Sequence, residues 1–265
     1  MIKYSLLFLF VCLLFSTGFG QLKTEVLCTQ NAENSSEVWE ILSLGVHQFE
    51  ADVMPIYGEL YVTPTMPDSA NHVKPTLRDA YLLPLFNQFK KNNGNIIPRH
   101  TDISYLILDI GYEPHTVIRL LRQQLRTMQD MLVFKADGKW HPGKLQILIK
   151  APIAELSNQE QLILTGVAGS GSNLSSDLPV EVMPLIELPF SDLTTWNGIG
   201  NIAFEEYLSV KKKVAEIHQL GRKVYVSKCP TSDGVWDMLQ KAEVDFIGTN
   251  HVEELVQYLT KNTKE

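Results

Sequence analysis

Glu50 and Asp52 stand two residues apart in Phe49-Glu50-Ala51-Asp52-Val53, a stretch whose other members are apolar. Along a strand, side chains alternate between faces, so the two acids point one way and Phe49, Ala51 and Val53 the other. Two carboxylates on one face of an apolar strand repel each other and are costly to bury unless a cation lies between them. A hard divalent ion would supply that charge, with carboxylate oxygens as its ligands. An Arg or Lys would do the same, and a strand end open to solvent would need neither. A turn at Tyr57-Gly58 then leads into a second short strand over 59–62.

Other strand ends carry chemistry as well. Cys28-Thr29-Gln30 follow the first strand, Asp109 interrupts the apolar run 105–110, and Lys150, Glu187 and Lys228-Cys229 close later ones. Brought together, Glu50, Asp52 and Asp109 would form an oxygen set for Ca2+ or Mg2+. Lys150 and Lys228 beside it would hold an anionic group. Taken singly, each lysine is an ordinary solvated strand-end side chain. Glu50 and Asp52 are poorly placed as a glycosidase pair, which needs two acids facing each other across a cleft.

The elements that must position these residues alternate along the whole chain. Hydrophobic pattern and capping residues predict helices over 36–44, 77–91, 114–132, 157–164, 204–220, 233–242 and 252–261. Pro84 falls inside the second and should kink or split it. Strands are expected over 25–28, 105–110, 144–150, 182–188 (its regular part beginning at Leu185, after Pro184), 223–227 and 246–249, besides the pair around Glu50. The glycine-rich stretch 166–173 lacks phosphate-loop spacing and is expected to be a flexible loop. Strand–helix alternation without a linker predicts an α/β fold, a single (β/α)8 TIM-type barrel over residues 21–265. An open doubly wound sheet is the competing architecture.

Residues 1–20 have the three parts of a secretory signal: Lys3, an apolar run over 6–15, and small residues before Gln21. The run is short for a bilayer span, and no later stretch is long and apolar enough to cross one. The chain is thus expected to be secreted or periplasmic, with Cys28 and Cys229 as the mature cysteines and their pairing left open. A net charge of −7 without a Lys/Arg stripe argues against nucleic acid as a partner.

The stretch 43–53 followed by Gly58-Glu59-Leu60-Tyr61-Val62 resembles the glycerophosphodiester phosphodiesterase and phosphatidylinositol-specific phospholipase C-like barrels. It is most similar to the secreted bacterial branch related to the altered-inheritance-of-mitochondria proteins. Gly221-Arg222-Lys223-Val224, residues 235–239 and residues 242–249 resemble that branch's last two strand–helix units. The likeness is loose over 137–198. It implies cleavage of a small phosphodiester by a carboxylate-held Ca2+ or Mg2+ and two acid–base histidines. By the same resemblance, Glu50, Asp52 and Asp109 are the metal ligands.

The histidines are not carried over. Thr29 and Pro64 occupy the two positions, and neither titrates near neutrality. Gly111 replaces the family's Lys, Cys229-Pro230-Thr231 its late turn, and Asn250 its last Asp. His72 and His100, on nearby loops, are the candidate replacements. The departures gather at strand ends while core and turn positions follow the family, which is the pattern of lost or altered chemistry. The expectation is an exported phosphodiesterase-type barrel with impaired or altered hydrolysis. The alternative is a non-enzymatic protein that binds an anionic ligand through Lys150 and Lys228.

Overall fold

The computed structural model describes residues 24–67, 74–98, 100–151 and 165–262. Eight parallel strands close into a barrel: β1 (Glu25–Cys28), β2 (Gln48–Ile56), β4 (Ser104–Asp109), β7 (Leu145–Lys150), β8 (Gly166–Ser170), β9 (Leu185–Pro189), β10 (Lys223–Ser227) and β11 (Phe246–Thr249). β1 pairs with both β11 and β2, which removes the sheet edges. The (β/α)8 expectation holds. β2 runs longer than its sequence suggested and folds back on β3 (Glu59–Val62) through the Tyr57-Gly58 turn. A small hairpin not read from the sequence, β5 (Phe134–Ala136) with β6 (Lys139–His141), turns at Asp137-Gly138, a strong hairpin dipeptide.

Alternation along the strands splits the core into two shells. Inside the barrel lie Leu27, Tyr105, Ile107, Leu148, Tyr225 and Phe246. Phe49, Ala51, Val53, Leu106 and Leu108 face the surrounding helices. Gly248 belongs to the inner layer, and a Cβ there would lie 2.5 Å from the Tyr225 ring, so glycine makes the room in which that phenol stands.

The helices follow their local signals. α1 (Ser35–Ser43) is capped by Asn34, whose side chain accepts from the N–H groups of Ser36 and Glu37. Pro84 splits its helix as expected. Having no N–H, it cannot bond back to the preceding turn, and a π-helical turn over Arg78–Leu82 leads into α2 (Leu83–Lys91). α3 (Pro114–Leu125) tightens into a 3-10 turn over Arg126–Met131. α4 (Phe190–Leu193), α5 (Phe204–Gln219), α6 (Asp233–Lys241) and α7 (Val252–Asn262) complete the ring. Among the described residues no helix is long and apolar enough to cross a membrane.

One expectation fails. The stretch 166–173 is the barrel strand β8 followed by a 3-10 turn over Gly171–Asn173, not a flexible loop. A Cβ on Gly166 would sit 2.6 Å from the Val182 carbonyl oxygen and 2.8 Å from Leu148, so this glycine serves close approach between strands. The leader-like residues 1–20 and the predicted helix over 157–164 lie outside the described residues.

Candidate functional site

The C-terminal ends of five strands, β2, β4, β7, β9 and β10, meet at the barrel mouth. Neighbouring registers set Asp52 beside Asp109, Asp109 beside Lys150, and Glu187 beside Tyr225. Each faces the lumen because it shares parity with the inner-shell residues of its own strand. β2 thus presents Glu50 and Asp52 on one face, as its sequence predicts.

Lys150 stands at the centre. Its Nζ lies 2.8 Å from Glu50 Oε1, 3.1 Å from Asp109 Oδ2 and 2.9 Å from Glu187 Oε2. The ammonium donates hydrogen bonds to Glu50 Oε1 and Glu187 Oε1 and pairs with Asp109 as an ion. The Tyr225 hydroxyl donates to Glu50 Oε2 in a short bond, and Ser227 Oγ donates to Glu187 Oε1 at 2.6 Å. Burial alone would lower the Lys150 pKa, but Glu50 and Glu187 more than offset it and hold the ammonium well above its usual range. Burial raises Glu50 despite the pull of Lys150 and Tyr225 in the other direction. The cluster is a closed set of charges and donors.

The sequence-predicted residues divide accordingly. Glu50 and Asp109 meet on Lys150. Asp52 turns to Asn31 instead, accepting from its Nδ2 at 2.7 Å while its own backbone N–H donates to the Asn31 Oδ1 at 2.9 Å. Lys228 is exposed just beyond β10 and has left-handed backbone geometry, φ 54°. Glu187 stood among the strand ends, but Tyr225, Ser227 and Asn31 were missed. Tyr225 and Ser227 share the parity of Lys223 in an alternating run, a signal that was present. Asn31 lies in a loop and gave none.

A divalent ion does not fit this donor set with Lys150 in place. Ca2+ requires about six to eight oxygens and Mg2+ an octahedron of them, whereas the facing oxygens of Glu50 and Asp109 already surround an ammonium whose charge would repel the ion. Thr29, at one histidine position of the resembling family, uses its N–H to continue the strand ladder to Thr249 at 3.0 Å. Pro64, at the other, is exposed beyond β3.

Among the described residues no imidazole hydrogen-bonds or ion-pairs with Glu50, Asp52, Asp109 or Glu187. His100 is at the opposite end of the barrel, its ring tilted 58° against that of His47 at a centroid distance of 4.2 Å, and His72 lies outside the described residues. Burial, then His100, hold His47 down to about 3, so that imidazole is neutral. Cys28 and Cys229 are both free, and burial pushes their thiols up to about 11 and about 12, which leaves them unreactive.

Similar folds occur among solved structures. A glycerophosphodiester phosphodiesterase from Parabacteroides distasonis superposes with a TM-score of 0.57 at 13% identity, covering 92% of this chain and 100% of that one. One from Agrobacterium tumefaciens gives a TM-score of 0.52 at 11% identity over 89% and 99% of the two chains. At such identities the likeness establishes the fold. No protein-family model matches the chain, and no curated protein matches its sequence.

Proposed function

We propose that this chain is a phosphodiesterase-type barrel with impaired or altered hydrolysis, in which its own Lys150 takes the place of the divalent ion. The observation that carries this reading is the enclosure of Lys150 Nζ by Glu50, Asp109 and Glu187 at 2.8 to 3.1 Å. The fold likeness to glycerophosphodiester phosphodiesterases supports a small phosphodiester as the ligand class. Phosphodiester hydrolysis needs a group titrating near neutrality to move protons to and from the reacting oxygens. Among the described residues nothing of that kind touches the carboxylates, and the Lys150 charge is already paired with three of them. The competing anion-binding reading is weakened for the same reason, since of its two lysines only Lys228 keeps an open charge. We also infer from the leader-like residues 1–20 that the mature chain works outside the cytoplasm; purified from its own source it should begin near Gln21.

The test is hydrolysis of glycerophosphodiesters and of an aryl phosphodiester, with and without Ca2+ or Mg2+, alongside calorimetric titration of each ion. The wild type is expected to show neither metal-dependent turnover nor saturable binding of either ion. Lys150→Ala, which leaves three carboxylates facing an open space, should gain affinity for one of them. Metal-dependent turnover in the wild type that disappears in Glu50→Gln would overturn the proposal.

A further inference from the structure

The opposite, N-terminal end of the barrel holds a second cluster that the mouth does not use. Glu25 opens β1, His47 immediately precedes β2, and His100 lies on the segment leading to β4. One ligand atom from each falls within 4.8 Å of the others. His47 is only 3% exposed, so each ring nitrogen must be accounted for.

Nδ1 of His47 is 2.9 Å from Ser104 Oγ. The Gln48 amide nitrogen also approaches Nδ1, at 3.2 Å. That amide's two protons, however, face Glu25 Oε2 at 3.2 Å and the Ile103 carbonyl at 3.4 Å, and its oxygen accepts from the Tyr105 N–H at 2.7 Å, which fixes its orientation. The Ser104 hydroxyl is therefore the partner of Nδ1 and can accept its proton. A proton on Nδ1 leaves a lone pair on Nε2. Glu25 Oε2 stands 3.7 Å from Nε2, beyond hydrogen-bond reach and itself an acceptor. With the proton on Nδ1, that lone pair faces a carboxylate and a cation between them would stabilise it; with the proton on Nε2, the ring faces Glu25 across a gap too long for a hydrogen bond.

The spacing suits such a cation. Ligand atoms bound tetrahedrally at zinc–nitrogen and zinc–oxygen lengths lie about 3.4 Å apart, close to the 3.7 Å found between His47 Nε2 and Glu25 Oε2. Two imidazoles and a carboxylate are donors of zinc's type rather than calcium's. The carboxylate of Asp102, 3.8 Å from His100 Nε2, adds negative charge beside them. A cavity of about 410 Å³ bordered by Glu25, His47 and His100 gives an ion a way in and room for a water as fourth ligand.

We propose that Glu25, His47 and His100 form a zinc-class metal site at the floor of the barrel. Although three protein ligands leave one position open to water, its role is structural, since this face of such barrels serves stability while chemistry belongs to the mouth. The ion would clasp the segment carrying His100 onto the starts of β1 and β2. Ser104 is a positioning residue that holds the His47 ring in the ligating tautomer.

The experiment uses the full chain without an affinity tag, stripped of metal by dialysis against a chelator. Zn2+ is titrated by calorimetry, Co2+ by its visible absorption, and thermal unfolding is followed with and without Zn2+. One equivalent should bind, raise the unfolding temperature and give the intense bands of four-coordinate cobalt. His100→Gln, at a side chain 32% exposed and so tolerant of replacement, should abolish both the stoichiometric binding and the thermal shift. Ser104→Ala should weaken binding by about 10- to 100-fold. Lys212→Ala, at an exposed side chain on α5 remote from the cluster, should leave zinc binding unchanged. Absence of saturable binding to the wild type, or binding that survives both His100→Gln and Glu25→Gln, would overturn the site.

Discussion

The two ends of the barrel make opposite use of ionisable side chains. At the mouth, three acids enclose one ammonium, and a phenol and a hydroxyl complete the carboxylates' hydrogen bonds. At the floor, a buried imidazole Nε2 and a carboxylate stand 3.7 Å apart, beyond hydrogen-bond reach. The first set is closed and the second is one cation short. Clusters of acids and bases are thus judged by the match of donors to acceptors, not by how many charged groups they hold.

The largest way to break this contrast is to open the mouth. Lys150→Ala strands three carboxylates on a half-buried lumen, and loss of one partner from such a pair costs about 3 kcal/mol or more. Denaturant unfolding should show that loss in the absence of divalent ions and recover part of it when Ca2+ or Mg2+ is added. A variant as stable as the wild type would mean that the cage is open to water and contributes little. Tyr225→Phe comes next. It removes one donor to a charged acceptor inside the barrel, worth about 1.5 to 3 kcal/mol, and the same unfolding experiment should place it below Lys150→Ala.

The smallest effect sharpens the floor side. His218 Nε2 lies 2.8 Å from Asp245 Oδ2, at the same end of the barrel as His47 but with its partner in reach. The hydrogen bond to Asp245 raises the His218 pKa from the ordinary 6.5. A group raised in the folded state contributes stability that is fully present below 6.5 and lost as pH rises through the folded value. For a partly exposed pair this is below about 1 kcal/mol. Unfolding midpoints compared on the two sides of neutrality should show the step in the wild type and lack it in His218→Gln.

Much of the mouth was legible in the chain. The apolar run around Glu50 and Asp52 announced a strand, its parity put both acids on one face, and the list of strand ends already held Asp109, Lys150 and Glu187. Two acids on one face of an apolar strand need a cation, and a lysine is one that can supply it. Less legible was which lysine, because residues 50 and 150 are brought together only by the order of strands in the closed barrel. Asp52 went to Asn31 because a loop side chain of matching length faced it, and no periodicity describes a loop. The stretch 166–173 misled because glycine signals turns in isolation, whereas here its missing Cβ is what lets neighbouring chains approach. The floor cluster was invisible as a cluster. Glu25, His47 and His100 fall on three separate segments, and His100 was weighed only as a replacement at the other end.

By itself the sequence determined the alternation of strands and helices, the parity of each strand and hence which side chains enter the lumen, since these depend on local periodicity and capping. Tertiary structure alone decided the partners. The closure of β1 onto β11 and β2 set strand neighbours and register. Register in turn brought Lys150 among the carboxylates and left His47 facing Glu25, because ion pairs form over a few ångströms of space and are blind to distance along the chain.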